Sequence, residues 1–524
     1  MRKLRNLQKN ILYKDTHSHI NDAEPSIDES VAADNSTNNI SLDLTDSKNY
    51  LQKYFNNSSD LIFNEFEPVS GFKVLIVYID GLVDINVVNR DIINSFISAA
   101  EENDLNNIVK NPEKIRDIIS VADINLKYCY SQVANEILSG NSAIFVNGMK
   151  GSLIISSKGY EKRSITEPSS QSVVRGPKES FVENLSTNIS MVRRKIKNNN
   201  LVIENIQLGK QTKTNIAIAY ILNVAKADVV QRVKDRINEI DIDSILGSGY
   251  IEQYIEDNKF SLFPTIWNSE KPDVIASNLL EGRVAILCDG TPHVLTVPTM
   301  FIEFFQTSED YYVRPYLATI TRIIRYLCFF ISILLPAFYV ALQTFHQEMI
   351  PTVLLIKMSG AMRGIPFPTM LETLLMIFFF EVLRESGIRL PRVIGPAISI
   401  VGALIMGESA VNAGIVSSTI VIIIALTAIC TFVIPELNES IIILRILFVL
   451  LAGVFGLFGI TCGVFAIIIH LVSLSSFGAD YTYPMAPFNI RGMMDMVVRA
   501  PLWLAKSRPS PTAGPNKVRR GRKG

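Results

Sequence analysis

Charged side chains within long apolar stretches are the residues of this sequence most able to do chemistry. Residues 326–498 contain 7 Lys/Arg and 9 Asp/Glu, whereas 19% of the whole chain is charged. A charge inside a membrane is costly, so such residues usually pair with one another or line an ion or substrate path. The candidates are Glu372, Glu381, Arg384, Glu408 and Arg445.

Their positions separate two roles. Glu381 lies three residues before Arg384, which places both on one helix face and predicts an ion pair. Glu372 is also expected to pair near a membrane interface, and Arg445 to reach the interface with its long side chain. Glu408 lies in a glycine-rich stretch, where irregular backbone is tolerated only beside protein or a water-filled cavity. It is the candidate for lining a path, with a structural role as the alternative.

Motifs for catalysis, metals or phosphates are missing from the sequence. It contains no nucleotide-binding glycine loop, nucleophile elbow or zinc-protease motif, and its five histidines are scattered. Five cysteines without a close pair predict neither a zinc site nor a disulfide framework. Equal numbers of basic and acidic residues, 50 of each, argue against nucleic-acid binding. We expect a protein that is not an enzyme, with no catalytic residues, metal or cofactor.

The apolar stretches predict a multi-pass membrane domain over residues 311–490. Residues 326–345 are uncharged, and a helix of that length spans ~30 Å, which matches a bilayer core. Arginines before this span and a basic C-terminal tail place both termini in the cytoplasm. Four spans plus a re-entrant or broken segment at 392–411 are preferred, with the acidic loop 436–439 outside. Six spans are the alternative, but they require a hairpin inside residues 441–469.

Small residues recur at helical spacing in this domain. Gly456, Gly459 and Gly463 form a smooth stripe, and Gly402 and Gly407 stand in the broken segment. Small side chains let two helices approach closely. The stripe predicts packing within one bundle, with contact between subunits as the alternative.

Two similar cytoplasmic α/β subdomains are predicted before the membrane domain, at residues 65–165 and 201–310. Each opens with a short β-branched strand followed by a helical pattern. Two blocks of the first subdomain align without a gap to blocks of the second, at one shared offset of 142 residues. The aligned blocks are 73–79 with 215–221, and 143–148 with 285–290. A shared offset favours internal duplication, with chance similarity as the alternative.

Residues 166–200 are predicted to form a linking helix between the two subdomains. Gly176 and Pro177 predict a turn with the proline at the helix start, flanked by Arg175 and Glu179. Apolar residues then recur every three or four positions, as on one helix face. A phosphate site in the basic last turns is disfavoured, because backbone N–H donors lie at the other end of a helix.

The two ends of the chain are predicted to lie outside these domains. Residues 1–64 form an acidic leader with few large apolar residues, a composition typical of disorder. Residues 491–524 form a basic cytoplasmic tail. The expected fold class is therefore a multi-pass α-helical membrane domain preceded by a cytoplasmic α/β domain of two similar, duplicated subdomains.

Several short motifs together resemble the A subunit of GerA-type spore germinant receptors. The resemblance runs from about residue 70 to 490, and it is specific in combination rather than in any single motif. The motifs lie at 174–179, 366–368, 381–385, 390–391, 402–404, 432–435, 478–481 and 484–487. Leader and tail are not covered, and no binding residue is transferred.

This resemblance implies a membrane protein of the spore inner membrane, with a permease-like B subunit and a lipoprotein C subunit as partners. It also implies homo-oligomers in the lipid bilayer that form a nutrient-gated ion channel. We therefore expect a non-catalytic subunit that converts nutrient sensing by a partner into ion release during germination. The alternatives are a secondary transporter with its substrate site at 392–411, and a membrane anchor that only scaffolds partners.

Overall fold

Two α/β units precede a helical region in the computed structural model. The structure describes residues 39–69, 71–101, 124–159, 168, 171, 173–389, 407–493, 495–504 and 507–519. Several predicted features lie outside these residues. They are residues 1–38 of the leader, Gly402 with most of the segment 392–411, and residues 520–524 of the tail.

The first unit is a five-stranded antiparallel sheet flanked by helices. Its elements are α1 (Leu44–Tyr54), β1 (Leu61–Val69), β2 (Phe72–Ile79), a π-helix (Val87–Ile93), α2 (Asn94–Glu101), β3 (Ile124–Lys127), α3 (Tyr130–Leu138), β4 (Ser142–Val146) and β5 (Ser152–Ile155). The strand order is β1-β2-β4-β5-β3. Strand β2 lies inside the sheet and is covered on both faces, which explains its almost unbroken apolar sequence.

This unit begins earlier in the chain than predicted. Helix α1 starts after Asp43, whose carboxylate accepts a hydrogen bond from a backbone N–H of the first turn at 2.9 Å. Leu51 and Phe55 are fully buried against the sheet. The prediction of a disordered leader is therefore wrong for residues 43–64, because a few well-spaced apolar residues anchor this polar stretch.

The second unit has the same strand order as the first, β6-β7-β9-β10-β8. Its elements are β6 (Leu201–Leu208), β7 (Thr214–Ile221), α5 (Ala227–Asn238), α6 (Ser248–Ile255), β8 (Trp267–Ser269), α7 (Pro272–Leu280), β9 (Val284–Cys288) and β10 (Val294–Val297), preceded by α4 (Leu185–Lys195). Val74 pairs with Val146 in the first unit, and Ile216 pairs with Cys288 in the second. Adding 142 to 74 and 146 gives 216 and 288, so the sequence offset reappears in the strand register.

Helix α4 links the two units, but it starts later than predicted. Its N-cap is Asn184, whose side chain accepts a hydrogen bond from the Thr187 N–H at 2.9 Å. Pro177 lies in irregular chain before it, so the predicted start at this proline is wrong. The predicted apolar face is buried, and Arg193 on α4 donates to the Asp60 carboxylate of the first unit at 2.7 and 2.9 Å.

The helical region follows two short 3₁₀ turns, Phe301–Phe305 and Ser308–Tyr311. Its helices are α8 (Pro315–Thr344), α9 (Thr352–Ala361), α10 (Thr369–Arg389), α11 (Ser418–Phe432) and α12 (Asn438–Ser473), followed by the short β11 (Ser475–Ser476), β12 (Ala479–Asp480) and α13 (Ile490–Met493). By length and composition, two described helical runs could cross a membrane, Pro315–Thr344 and Pro435–Ser473.

The second of these runs turns back on itself inside α12. Gly456 has φ 61° and ψ −142°, a conformation that glycine adopts far more readily than other residues. A Cβ placed on Gly463 would lie 2.7 Å from the Phe448 ring, although these residues would be ~22 Å apart along a straight helix. The chain therefore forms a helical hairpin, with arms at 438–455 and 457–473.

Both ends of α12 consequently lie beside the second α/β unit. The Ser440 hydroxyl donates to the carbonyl of Leu262, and the His470 ring lies 6.3 Å from the ring of Phe263. The acidic loop 436–439 is thus on the same side as the α/β units. The preference for a straight crossing here, with that loop on the opposite side, is wrong because the chain reverses direction at Gly456 and its two arms pack against each other.

The C-terminal tail also returns to the α/β part. Within residues 507–519, Ala513 forms a β-bridge with Ala225 of the second unit. In the first unit the matching bridge joins Val83 to Lys158, just after β5, and 83 plus 142 is 225. In the second unit the tail therefore takes the position that, in the first unit, is occupied by the residues that follow β5.

Candidate functional site

A buried cluster of charges lies where α8, α10, α11 and α12 meet. Arg445 of α12 is 0% exposed. Its Nε donates to the carbonyl of Ser332 at 2.9 Å, and its Nη2 donates to the hydroxyl of Thr431 at 2.6 Å. Its Nη1 lies 3.6 Å from Oε1 of Glu381. The expectation that Arg445 extends to the membrane interface is wrong, because these groups hold it inside the bundle.

The cluster also contains the ion pair suggested by sequence spacing. Arg384 Nη2 lies 2.8 Å from Oε2 of Glu381 on α10. Two guanidinium groups therefore share one carboxylate, and in the part of the chain that is described Nε and Nη1 of Arg384 and Nη1 of Arg445 lack hydrogen bonds. An excess positive charge repels passing cations. This arrangement is better suited to holding the helices together than to lining a path for cations.

Glu372 forms a second polar contact within the bundle. It is 0% exposed, and its Oε1 accepts hydrogen bonds from the backbone N–H and the hydroxyl of Ser417, the latter at 2.6 Å. Ser417 is the N-cap of α11, where the positive end of the helix dipole favours a carboxylate. The hydroxyl of Tyr339 on α8 lies 3.5 Å from the same serine oxygen. Glu372 thus joins α10 to the start of α11.

The other predicted membrane residues are placed differently. Glu408 is exposed, and the structure brings it into neither polar contact. Gly407 faces Val421, where a Cβ would make an ordinary contact at 3.6 Å. Gly459 and Gly463 pack against the opposite arm of the α12 hairpin. The stripe therefore serves packing within the chain, and its contact with other subunits stays a prediction.

The residues predicted at the inter-subdomain helix lie just before it. Arg175 is exposed, whereas a Cβ on Gly176 would lie 2.9 Å from the ring of Tyr312, so this glycine allows close packing. Glu179 lies 3.4 Å from Nζ of Lys195 in the last turn of α4. The basic end of α4 is thus paired with an acid of its own chain.

Sequence reasoning missed an ionic junction between the α/β part and α8. Asp310 lies in the 3₁₀ turn before α8, and its carboxylate receives Nε of Arg322 at 2.8 Å and Nη1 and Nη2 of Arg325 at 2.8 and 2.9 Å. Arg322 is 0% exposed and also donates to Asp495 of the tail, with 2.9 Å between Nη1 and Oδ1. The two arginines are three residues apart, a spacing that places both on one helix face. From the sequence they indicated only the orientation of the chain in the membrane.

The electrostatics of this junction favour an ionised Asp310. Burial alone would raise the pKa of its carboxyl group. The hydrogen bonds and charges of Arg325 and Arg322 outweigh burial, so the pKa lies below its ordinary value of 3.8. Asp310 is therefore a negative charge at the point where the α/β part meets α8.

Comparison with known protein families gives a match over most of this chain. A profile of the Bacillus/Clostridium GerA spore germination protein family matches residues 49–511. The chain belongs to this GerA family. The resemblance to the A subunit of GerA-type receptors is thus confirmed, and the match includes both α/β units, the helical region and most of the tail.

Individual relatives extend over nearly the same length. Spore germination protein KA of Bacillus subtilis (strain 168) is 44% identical over 90% of this chain and 87% of its own. Spore germination protein GerLA of Bacillus cereus is 36% identical over 86% of this chain and 92% of its own. The crystal structure of the N-terminal domain of the A subunit of the Bacillus megaterium spore germinant receptor GerK3 is 35% identical, covers 50% of this chain and 97% of that chain, and has a TM-score of 0.41.

Proposed function

We propose that this GerA-family chain is a non-catalytic membrane subunit that couples nutrient sensing by a partner to ion release during germination. Its partners are a permease-like B subunit and a lipoprotein C subunit, in the spore inner membrane. Support for cytoplasmic termini comes from the tail, which docks on the second α/β unit. The α12 hairpin favours six crossings over four. The shared strand order supports an internal duplication of the α/β units.

The observation that carries this proposal is the junction around Asp310. This residue lies in the short connector between β10 and α8, and it binds two arginines of α8. A buried salt bridge resists separation, because either charge left alone would be costly. A displacement of the second unit therefore pulls directly on the first membrane helix.

The ion path is proposed to form between copies of the chain. The described centre of the bundle is filled by apolar residues, including Val340, Ile420 and Leu444, each 0% exposed. The buried Arg445 cluster repels cations. Large apolar residues such as Phe458 and Phe465 face outward on α12, as expected of a surface that lipid or another copy covers. A homo-oligomer would therefore enclose a path that one bundle does not provide.

The coupling role is tested in proteoliposomes that contain the complete receptor. We expect nutrient to trigger potassium release with the natural chain. The variant Asp310→Asn should still insert and bind its partners but lose most of this response. Asp241→Asn is the matched control, since Asp241 forms an ion pair with Lys210 on the exposed surface. Nutrient-triggered release that is equal in both variants would refute the coupling role.

A further inference from the structure

A cavity with both polar and aromatic lining residues lies at the junction between the α/β part and the helical region, apart from the Arg445 cluster. Its volume is about 320 Å³, which is within the range of small-molecule sites. Its walls come from the second unit, the connector, α8, the loop before α12 and the tail. Representative lining residues are Trp267, Asp273, Tyr312, Arg325, Glu436 and Arg519.

Three buried polar groups on residues that line this cavity lack partners among the residues that the structure describes: the indole N–H of Trp267, Oδ1 of Asp273 and Nε of Arg283. Trp267 is 7% exposed, and its indole N–H donates to nothing. The Asp273 side chain is 9% exposed, and its Oδ1 accepts from nothing, although Oδ2 receives the hydroxyl of Tyr312 at 3.1 Å. Such groups cost about 1–3 kcal/mol each when unsatisfied, so all three favour a bound molecule.

The charges of the residues that line the cavity indicate which class of molecule it can bind. Most cavity charges are already paired, since Arg325 binds Asp310 and Arg283 binds Glu303. Asp273 lies 3.8 Å from Lys271 Nζ, whose stronger partner is the Ser308 hydroxyl at 2.8 Å. Oδ1 of Asp273 is therefore a buried carboxylate oxygen without a hydrogen-bond donor, and a cationic donor would suit it.

Aromatic side chains strengthen the same preference. Trp267, Phe304, Tyr311 and Tyr312 line the cavity, and the Trp267 and Phe304 rings pack with centroids 5.0 Å apart. Aromatic faces attract organic ammonium ions. The Trp267 N–H adds a donor that an ammonium group alone leaves unsatisfied, so the molecule should also carry an acceptor such as a hydroxyl.

We propose that this cavity binds a small organic ammonium compound that carries a hydrogen-bond acceptor. Its ammonium group donates to Asp273 Oδ1, and its acceptor receives the Trp267 N–H. Because the walls include α8, the loop before α12 and the tail, an occupied cavity holds these elements to the second unit. Binding of a ligand in this cavity does not depend on the proposed coupling role. In that role the nutrient is sensed by a partner subunit and not by this cavity.

The test uses the full chain purified in detergent and titrated with ethanolamine. The chain has 2 tryptophans, so Trp503→Phe leaves Trp267 as the only indole reporter. We expect a saturable change in Trp267 emission, matched by saturable heat in calorimetry. Ethylene glycol, which is similar in size but uncharged, should produce neither.

Single substitutions distinguish a specific binding site from a cavity that holds only water. Asp273→Asn should weaken ethanolamine binding about tenfold or more, because it removes a charged acceptor. Trp267→Phe keeps an aromatic ring but removes the indole N–H, and calorimetry should show binding weakened about threefold. Asp228→Asn, at an exposed helix position, should change nothing. Absence of saturable binding, equal binding of ethylene glycol, or unchanged affinity in both Asp273→Asn and Trp267→Phe would overturn the proposal.

The ammonium group could belong to a free molecule or to a lipid headgroup. Titration in phosphatidylglycerol nanodiscs, with and without phosphatidylethanolamine, distinguishes these sources. Competition by phosphatidylethanolamine would assign the site to a headgroup, whereas unchanged ethanolamine affinity would assign it to a soluble compound. Either result retains the ammonium chemistry.

Discussion

The Asp310 carboxylate lies 2.8 Å from Nε of Arg322, so the connector after the second α/β unit is held to the buried face of α8. Arg322 is fully buried and also reaches Asp495 of the tail. One guanidinium group thus joins the segments that precede and follow the helical region. This geometry makes Asp310 the residue whose removal should matter most.

Replacing Asp310 with Asn should destabilise the chain by about 3 kcal/mol, because two arginines lose their shared anion in a buried place. Thermal unfolding of the detergent-purified protein measures the effect. Asp241→Asn should cost less than about 0.5 kcal/mol, because its pair with Lys210 is exposed. Equal melting temperatures for the two variants would contradict the assignment.

The same pair of variants carries a pH prediction. A carboxyl group with a lowered pKa stabilises the folded state above its ordinary pKa, and this contribution is lost as pH falls through the folded-state pKa. The folded-state pKa of Asp310 lies below 3.8. The stability difference between the natural chain and Asp310→Asn should therefore be constant from pH 5 to 8. A difference that shrinks between pH 7 and 5 would show that another group is responsible.

In the Arg445 cluster, removing the negative charge should lower the stability of the chain more than removing one of the positive charges. Glu381→Gln leaves two buried cations without an anion and should cost about 3–5 kcal/mol. Arg445→Met leaves the Glu381–Arg384 pair balanced, so it should cost less despite the lost hydrogen bonds. Unfolding of both variants in nanodiscs decides the matter. A larger loss for Arg445→Met would mean that the arginine's packing outweighs the charge imbalance.

The docked tail can be tested with two glycines of similar backbone conformation. Gly282 has φ 96°, and a Cβ there would lie 2.6 Å from the Val224 carbonyl and 2.7 Å from that of Thr512 in the tail. Gly290 has φ 83° and open space around it. Gly282→Ala should therefore cost about 2 kcal/mol more than Gly290→Ala, beyond the strain that both share. It should also expose the tail to trypsin, and equal cleavage rates would argue against docking.

Glu252 should make stability depend on pH in the opposite sense to Asp310. Burial, with the nearby charges of Glu256 and Glu439, raises its pKa to about 7. A carboxyl group with a raised pKa penalises the folded state increasingly as pH rises from its ordinary value through 7. Glu252→Gln should thus stabilise the chain by about 1–2 kcal/mol at pH 8 and by almost nothing at pH 5. Exposed Glu239→Gln is the control, and a pH-independent gain would exclude this origin.

Local patterns allowed much of the α/β part to be predicted. The strands at 73–79 and 215–221 were identifiable because buried strands have apolar, β-branched sequences, and their common offset matched the strand register. The ion pair of Glu381 and Arg384 also followed from spacing alone. Each of these features depends on residues close in the chain or on a repeated pattern.

The features that sequence reasoning missed depend on contacts between distant residues. Nothing local shows that Arg445 meets Ser332 and Thr431, or that the tail completes the second sheet. Gly456 belongs to a stripe that fits a straight helix equally well, and only packing between the two arms selects the bend. Helix α1 was missed because a few buried residues outweigh its polar composition.

The most direct test of the central claim, that copies of this chain enclose an ion path, is current recording from the purified chain in planar bilayers. We expect discrete, unitary cation currents from ring-shaped oligomers, and we expect cysteines placed on the outward face of α12 to crosslink between copies. A monomeric chain that carries no current but takes up solute saturably would contradict it and would favour a transporter.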